Sequence, residues 1–286
     1  MKVGLIGSFG ARPRAFWEAF LGGLGAEVAR PALPAQDVYE LGRQSLPNEA
    51  AHVQYLLGQV LASGQSDLLL TPDLLPVSQD AWGEALAELL PRRISGLPAL
   101  QTVPQEAEAA LSAAGELGQR LIHNPGVVRL ALERARPLSQ PPKGEMPPLS
   151  VASRATVAVL GPPVLLSDDY LSGPLRLQFA GLGLHPVYAT DLPAAQIEER
   201  AERFGDAPAG QRWLNGAQGL LEGKSAVRGL LYVYPARDTA WERALSRMAR
   251  AARKPDALLA IEPGQHDWDA LERLARQVQG TPAGEA

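Results

Sequence analysis

The stretch Val3-Gly4-Leu5-Ile6-Gly7 near the start of the chain has a close counterpart in Val157-Ala158-Val159-Leu160-Gly161. Each is a short apolar run that ends in glycine and is followed by a loop and a helical pattern. Such a run is typical of a parallel strand buried on both faces, and glycine lets the backbone turn sharply or lie close to a ligand. The two runs predict two α/β units in tandem. We expect function at the loops after Gly7 and Gly161 and in the cleft between the units.

Further apolar runs continue this alternation along the chain. Segments of helical length separate them, which is typical of right-handed βαβ units and parallel sheets. The predicted fold class is therefore α/β, with two tandem Rossmann-like or flavodoxin-like parallel-sheet domains. We predict strands at residues 2–7, 27–30, 67–71, 99–102, 156–160, 185–188, 229–234 and 257–261.

A proline-rich stretch divides the sequence. Pro141-Pro142-Lys143-Gly144 and Pro147-Pro148 lack amide donors at the prolines and have restricted φ angles, which favours an extended connector. We predict four parts, in chain order: an N-terminal α/β domain at 1–137, a linker at 138–153, a C-terminal α/β domain at 154–276 and a flexible tail at 277–286.

The composition is that of an ordinary globular protein. Of 286 residues, 46% are hydrophobic and 20% are charged, which excludes a disordered chain. No apolar stretch approaches the roughly 20 residues of a membrane span, and the sequence begins in a strand rather than in a signal-peptide pattern. We expect a cytoplasmic protein without a membrane partner. The net charge of -4 gives no reason to expect a nucleic-acid partner.

Cysteine is absent. Disulfides, thiolate nucleophiles, thiolate zinc sites and cysteine-ligated iron-sulfur clusters are thereby excluded. The four histidines lack the spacing of metal ligands, and His52 alone has an acidic neighbour, Glu49, three residues away. We interpret this pair as a solvated face of a helix and expect no metal site.

Gly7-Ser8-Phe9-Gly10 resembles half of a dinucleotide-binding fingerprint. The third glycine of that fingerprint is missing, and Pro13 occupies the following turn. Gly7 and Ser8 are candidate cofactor-binding residues, and Gly161 is their counterpart in the second unit. A plain strand-to-helix turn is the alternative interpretation.

Asp168, Tyr170 and Asp238 follow apolar strands, where side chains gather at the edge of an α/β sheet. They are the candidate catalytic residues, and Arg237 is a candidate cofactor-binding residue. The alternative role for each aspartate is to cap the next helix by accepting hydrogen bonds from backbone amides.

Several segments together resemble the 2-hydroxyacyl-CoA dehydratase family, which includes the D component of 2-hydroxyglutaryl-CoA dehydratase and the benzoyl-CoA reductase subunits. In the first half the resemblance rests on residues 16–20, 24–28, 48–51 and 58–60. In the second half, Gly161-Pro162-Pro163-Val164 with Asp168 and Tyr170 is similar to the family's glycine-histidine-proline-tyrosine loop and the helix start after it. Residues 231–239 resemble its strand and cysteine-glycine-proline-aspartate-serine turn. The resemblance spans most of residues 1–276.

The chain departs from the family pattern where the family's redox chemistry lies. Ala50 or Ala51 stands in place of the first-domain cysteine, Pro235 in place of the later cysteine, and Pro162 in place of the histidine. Family members hold an iron-sulfur cluster through cysteine thiolates, and neither alanine nor proline can ligate iron. The resemblance therefore implies no iron-sulfur cluster, no other cofactor in its place and no dehydratase activity by this chain alone.

Three hypotheses about function follow. The first is a noncatalytic protein that binds a small, acyl-CoA-like ligand in a cleft shaped by Asp168, Tyr170 and Asp238, or that acts as a companion subunit. The second is an enzyme with a repurposed cleft, in which Asp168 or Asp238 performs acid-base chemistry and Tyr170 orients the substrate. The third is a structural partner of a cysteine-bearing paralogue, because related subunits of the family assemble in pairs. The expected partners are thus an acyl-CoA or other small molecule and a related subunit or second copy.

Overall fold

The computed structural model describes residues 1–7, 9–31, 33–139, 144–265 and 267–280. The chain forms two compact units that interleave along the sequence. Unit 1 comprises Met1–Asn48, Val53–Asp73 and Ala85–Pro142, and unit 2 comprises Glu49–His52, Leu74–Glu84 and Lys143–Ala286. Two short segments from the first half of the chain therefore belong to the unit that contains the second half.

Each half of the chain contributes one four-stranded parallel sheet. The strands of the first sheet are β1 (Lys2–Leu5), β2 (Glu27–Ala29), β3 (Leu68–Pro72) and β4 (Ala99–Val103), in the spatial order β2-β1-β3-β4. The strands of the second are β5 (Ala155–Leu160), β6 (Leu184–Tyr188), β7 (Val227–Pro235) and β8 (Asp256–Ile261), in the order β6-β5-β7-β8. The two sheets thus repeat one topology, with the first strand of each half lying inside its sheet.

Helices connect the strands. In the first half they are α1 (Ala11–Gly23), α2 (Ala35–Ser45), α3 (Ala51–Ala62), α4 (Ala81–Arg93), α5 (Ala107–Ile122) and α6 (Pro125–Ser139). In the second half they are α7 (Pro163–Leu166), α8 (Asp169–Gly181), α9 (Ala194–Ala201), α10 (Ala209–Glu222), α11 (Thr239–Arg250) and α12 (Asp269–Gly280). Because every strand pairing is parallel, these helices supply the crossovers that parallel neighbours require.

The structure confirms the predicted fold class, and all eight predicted strands are present. Helix α6 continues to Ser139, two residues beyond the predicted end of the first domain. Within the predicted linker, residues 144–153 contain no helix or extended strand, and residues 140–143 lie outside the described part, as do residues 281–286 of the predicted tail. The predicted boundaries do not anticipate that Glu49–His52 and Leu74–Glu84 group with unit 2.

Aromatic side chains of α1 fill the core of unit 1. Phe16, Trp17 and Phe20 are fully buried, and the rings of Phe16 and Trp17 meet edge to face with centroids 5.3 Å apart. Edge-to-face contacts are a favoured geometry for aromatic pairs. The aromatic cluster that carries part of the family resemblance is therefore a packing feature of the first unit.

Helices α2 and α3 cross at two glycines. A Cβ atom at Gly42 would overlap the backbone carbonyl of Gln54, and one at Gly58 would overlap the backbone carbonyl of Val38. The two backbones therefore touch where neither residue carries a side chain, and this close approach accounts for Gly58 within an otherwise apolar helix.

No helix among the described residues combines the length and the apolar character that a membrane span requires.

Replacing Gly58 by alanine is expected to destabilise the protein by about 1 to 3 kcal/mol, because the new methyl group must push α2 and α3 apart. Urea denaturation followed by circular dichroism measures this loss. The matched control is Gly22→Ala in α1, where a Cβ meets nothing within 4 Å. That change should leave stability unchanged or raise it by about 0.5 to 1 kcal/mol. Equal effects of the two substitutions would contradict the close crossing.

Candidate functional site

The loops after β5 and β7 hold the candidate catalytic residues. Strands β5 and β7 are neighbours in the second sheet and run parallel, so their carboxyl ends lie at the same edge. Asp168 immediately precedes α8, and one carboxylate oxygen accepts hydrogen bonds from the backbone amides of Tyr170 and Leu171 at 2.9 and 3.0 Å. Asp168 is thus an N-cap of α8, and Tyr170, half-buried, occupies the second position of that helix.

Asp238 is the corresponding N-cap of α11. Its Oδ1 accepts a hydrogen bond from the backbone amide of Trp241 at 3.0 Å, and the residue is only 7% exposed. The indole N–H of Trp241 donates at 3.2 Å to Oδ2 of Asp80, which is also buried. Trp241 therefore contacts two buried carboxylates, one through its backbone and one through its side chain.

Asp80 and His52 complete this cluster, and neither was predicted from the sequence as a site residue. Asp80 lies just before α4, and its Oδ1 accepts from the backbone amide of Gly83 at 2.8 Å. The imidazole Nδ1 of His52 lies 3.7 Å from Oδ2 of Asp238 and has no hydrogen-bond partner among the described residues. The interpretation of His52 as part of a solvated face was wrong, since this residue is only 5% exposed. We call His52, Asp80, Asp238 and Trp241 the carboxylate cluster.

Burial dominates the electrostatics of the carboxylate cluster. It raises the pKa of Asp238 to about 6, although the backbone amides of Trp241 and Ala240 oppose the rise. Burial also raises the pKa of Asp80, and the nearby Asp238 adds to that effect. Burial lowers the pKa of His52 to about 4, against the attraction of the Asp80 carboxylate. At neutral pH the imidazole is therefore uncharged and does not neutralise either carboxylate.

The turn between β7 and α11 is held by Arg237. This residue has a positive φ of 68°, and its guanidinium donates to the backbone carbonyl of Glu49 at 3.1 Å and to the Glu262 carboxylate at 2.7 Å. The Arg237 side chain, which was predicted to bind a cofactor, is thus bonded to other groups of the protein. In the same turn the backbone amide of Ala51 donates to the backbone carbonyl of Ala236 at 3.0 Å.

Gly7 and Gly161, which follow β1 and β5, are required for different reasons. Gly7 has a positive φ of 78°, and its amide donates to the Gln59 side chain. That hydrogen bond uses the amide that a phosphate would need at this turn. At Gly161 a Cβ atom would overlap the backbone carbonyl of Val233 in the neighbouring strand β7. Ser8, the remaining cofactor-binding candidate, lies outside the described residues.

The residues at the cysteine positions of the resembling family do not fit an iron-sulfur cluster. Ala50, Ala51 and Pro235 are buried and carry no atom that can ligate iron. The backbone of Ala51 is also hydrogen-bonded directly to the residue after Pro235. Within the part of the chain that the structure describes, no three His, Asp or Glu side chains are grouped so that they could hold a metal ion.

A groove of about 630 Å³ lies at the carboxyl ends of β7 and β8. Ala236, Gln265 and Arg273 contribute to its lining, together with three carboxylates, those of Glu262, Asp267 and Asp269. Glu262 is paired with Arg237, whereas no ion pair is described for Arg273. Ligands of open α/β sheets bind at this edge, and the volume is in the range of small-molecule sites.

No protein-family model matches the sequence, and no curated protein matches it. Among solved structures, the chain is similar to a mutant of the laminin-binding adhesin of Streptococcus agalactiae, with 12% identity, 98% of this chain and 97% of that chain covered, and a TM-score of 0.29. For ZnuA the identity is 11%, the coverage 98% and 97%, and the TM-score 0.28. For the dinucleotide-forming acetyl-coenzyme A synthetase 1 of Ca. Korarchaeum cryptofilum the values are 12%, 90% and 56%, and 0.21. Likenesses this weak carry no argument about function.

Replacing Asp238 by asparagine is expected to stabilise the protein more at pH 7.5 than at pH 4.5. The folded-state pKa of about 6 lies above the ordinary value of 3.8, so the stability contributed by protonated Asp238 is lost as the pH rises through 6. Asparagine remains uncharged and can still cap α11. At about 1.4 kcal/mol per pKa unit the whole shift corresponds to about 3 kcal/mol, of which roughly 1 kcal/mol is already lost at pH 4.5, so the advantage over wild type at pH 7.5 should exceed that at pH 4.5 by about 2 kcal/mol.

Urea denaturation at both pH values checks this expectation. The matched control is Asp168→Asn, the same substitution at the N-cap of α8, outside the carboxylate cluster. If the two variants gave the same difference between the two pH values, the unfavourable buried charge assigned to Asp238 would be refuted.

Proposed function

We propose that this chain is a noncatalytic ligand-binding protein with the framework of the 2-hydroxyacyl-CoA dehydratase family, in which protein contacts occupy the place of the redox centre. The observation that carries the proposal is the hydrogen bond between the Ala51 amide and the Ala236 carbonyl. It joins the two segments in which the family has its cysteines. Ala51 and Ala236 are 185 residues apart in sequence. Their contact therefore supports the proposal that this chain and the family share the same organisation of these two segments.

The contacts of the two candidate aspartates favour a noncatalytic role over acid-base chemistry. The Asp168 carboxylate accepts two backbone hydrogen bonds at the start of α8. Asp238 has a pKa suited to proton transfer, but it is buried and caps α11. A general acid or base must come within hydrogen-bond reach of the substrate, which the burial of Asp238 opposes.

The groove at the carboxyl ends of β7 and β8 is the proposed ligand site. The groove is lined by one guanidinium, that of Arg273, beside the carboxylates of Glu262, Asp267 and Asp269, so Arg273 is the lining cation that an anionic group of a ligand would contact. An acyl-CoA carries such groups, and the choice of this ligand class rests on the family resemblance. We also propose that the protein is cytoplasmic, and this part of the proposal rests on the sequence alone.

A panel of free CoA, CoA thioesters and nucleotides tests this proposal by thermal denaturation. A ligand at 100 times its dissociation constant stabilises the native state by about 2.7 kcal/mol, so one class should raise the melting temperature saturably. Arg273→Gln should weaken that ligand by about tenfold through loss of a charged hydrogen bond. Arg276→Gln is the matched control, because it lies on the same helix, is exposed and does not line the groove.

If no compound of the panel raised the melting temperature saturably, the ligand-binding proposal would be overturned. If Arg273→Gln and Arg276→Gln lost affinity equally, the ligand would not bind in this groove.

Anaerobic incubation with ferrous iron and sulfide tests the replacement of the redox centre. We expect no stoichiometric iron or sulfide to remain bound after desalting, because the sequence contains no cysteine to supply a thiolate. A ferredoxin with cysteine-ligated iron, reconstituted in parallel, provides the positive control. An absorbance band near that of the control, with stoichiometric iron, would contradict the proposal.

A further inference from the structure

A second groove lies at the opposite edge of the second sheet, at the amino ends of β5 and β7. Its volume is about 740 Å³, and its lining includes Arg154, Arg228, Ser150, Ser153 and Ser225. We propose that this groove binds a phosphoryl group, either free phosphate or the phosphate of a small organic ester. The proposal is independent of the ligand site at the carboxyl edge.

The charge of the groove is unbalanced in favour of an anion. None of the described residues that line it is acidic, and no ion pair is described for Arg154 or Arg228. In contrast, Arg14, Arg176 and Arg237 each lie within 4 Å of a carboxylate oxygen. Two guanidinium groups without a carboxylate partner make a site suited to bidentate binding of phosphate oxygens.

The backbone of β7 is irregular at one of these arginines. Thr156 of β5 pairs with Val227, and the next residue, Val157, pairs with Gly229, so Arg228 is an extra residue on β7 without a partner in the register. A bulge of this kind redirects a side chain, and bulges are common beside functional sites. Arg228 is exposed, whereas Val227 and Gly229 on either side are buried.

A tight turn places the second arginine. Val151 and Arg154 form an antiparallel bridge, closed by a hydrogen bond of 3.2 Å from the Arg154 amide to the Val151 carbonyl. Within the turn Ser153 has a positive φ of 65°, which is uncommon for a residue with a side chain. The turn places Arg154 next to Ser153, and both residues line the groove.

The neighbouring groups fit the same ligand chemistry. The serine hydroxyls of the lining can each donate one hydrogen bond, which complements the several oxygens of a phosphoryl group. Lys254 lies close enough to Arg228 for their charges to repel, and its ammonium donates to the Lys224 carbonyl at 2.6 Å. Glu222, which faces Lys254, accepts a hydrogen bond from the Arg253 amide.

Isothermal titration calorimetry of the full chain tests the proposal with inorganic phosphate, a sugar phosphate and the unphosphorylated sugar, at one ionic strength set with chloride. We expect saturable binding of both phosphate compounds and none of the sugar. A tighter sugar phosphate would identify an organic ester as the ligand class, and equal affinities would identify free phosphate. Absence of saturable binding for both would overturn the proposal.

Variants locate the binding. Arg154→Gln and Arg228→Gln should each weaken phosphate by about tenfold or more, and Ser225→Asp should abolish binding by placing a negative charge in the groove. Arg203→Gln, an exposed arginine outside the groove, should have no effect. Circular dichroism checks folding, and Ser225→Asp provides a test that leaves both arginines in place. Unchanged affinity in all three groove variants would place the phosphate elsewhere.

Arg273→Gln separates this proposal from the ligand site at the carboxyl edge. That variant should bind phosphate like wild type, because Arg273 lines the other groove. If Arg273→Gln weakened the binding of phosphate as much as that of the CoA-class ligand, both ligands would share one site. That result would overturn the assignment of phosphate to Arg154 and Arg228.

Discussion

Trp241 is the residue on which the centre of unit 2 depends. Its indole N–H donates to Asp80 and its backbone N–H donates to Asp238, so one residue satisfies an oxygen of each buried carboxylate. An ionised carboxylate in a buried position is costly unless it is hydrogen-bonded, and the pKa values of both aspartates are raised despite these donors. The cluster therefore balances a large desolvation cost against a small number of well-placed hydrogen bonds. The bond to Asp80 and the hydrogen bond from the Gly210 amide to the Pro76 carbonyl both join the segment Leu74–Glu84 to the rest of unit 2.

The strands were predictable from the sequence, whereas the carboxylate cluster was not. A buried parallel strand is a continuous apolar run, and this local signal was enough to find all eight strands and to predict two parallel sheets, although it did not give the order of the strands within them. Asp80 and Trp241 are separated by 161 residues, so no local pattern relates them. A lone buried histidine also looks the same in sequence as a solvated one. Asp80 could have been suspected from its position before an amphipathic helix, but that signal predicts only a cap.

The candidate binding residues show how the same residue types serve packing and function. Arg237 was predicted from its place after a strand, and the structure engages it with Glu49 and Glu262. Gly161 was predicted because glycine permits close approach, and the group that approaches it is the backbone of the neighbouring strand. The sequence predicted ligand contacts at these positions, whereas the structure shows contacts with the protein itself. Sequence position alone could not indicate whether a ligand or the protein itself fills the space.

The chain contains no cysteine, so backbone pairing and packing hold both sheets without thiolate ligands or disulfides. Each strand of the second sheet is held by backbone pairing to its neighbours, and the turn after β7 is held by Arg237 and by the Ala51–Ala236 hydrogen bond. These contacts hold the loops together without a bound group. Two open grooves lie at the opposite edges of the same sheet: one is lined by Arg273 beside three carboxylates, and the described lining of the other holds Arg154 and Arg228 without an acidic residue. Because a guanidinium without a carboxylate beside it gains most from an anion that offers it two oxygens, the amino edge of the second sheet, with Arg154 and Arg228, is where anion recognition by this chain is best supported.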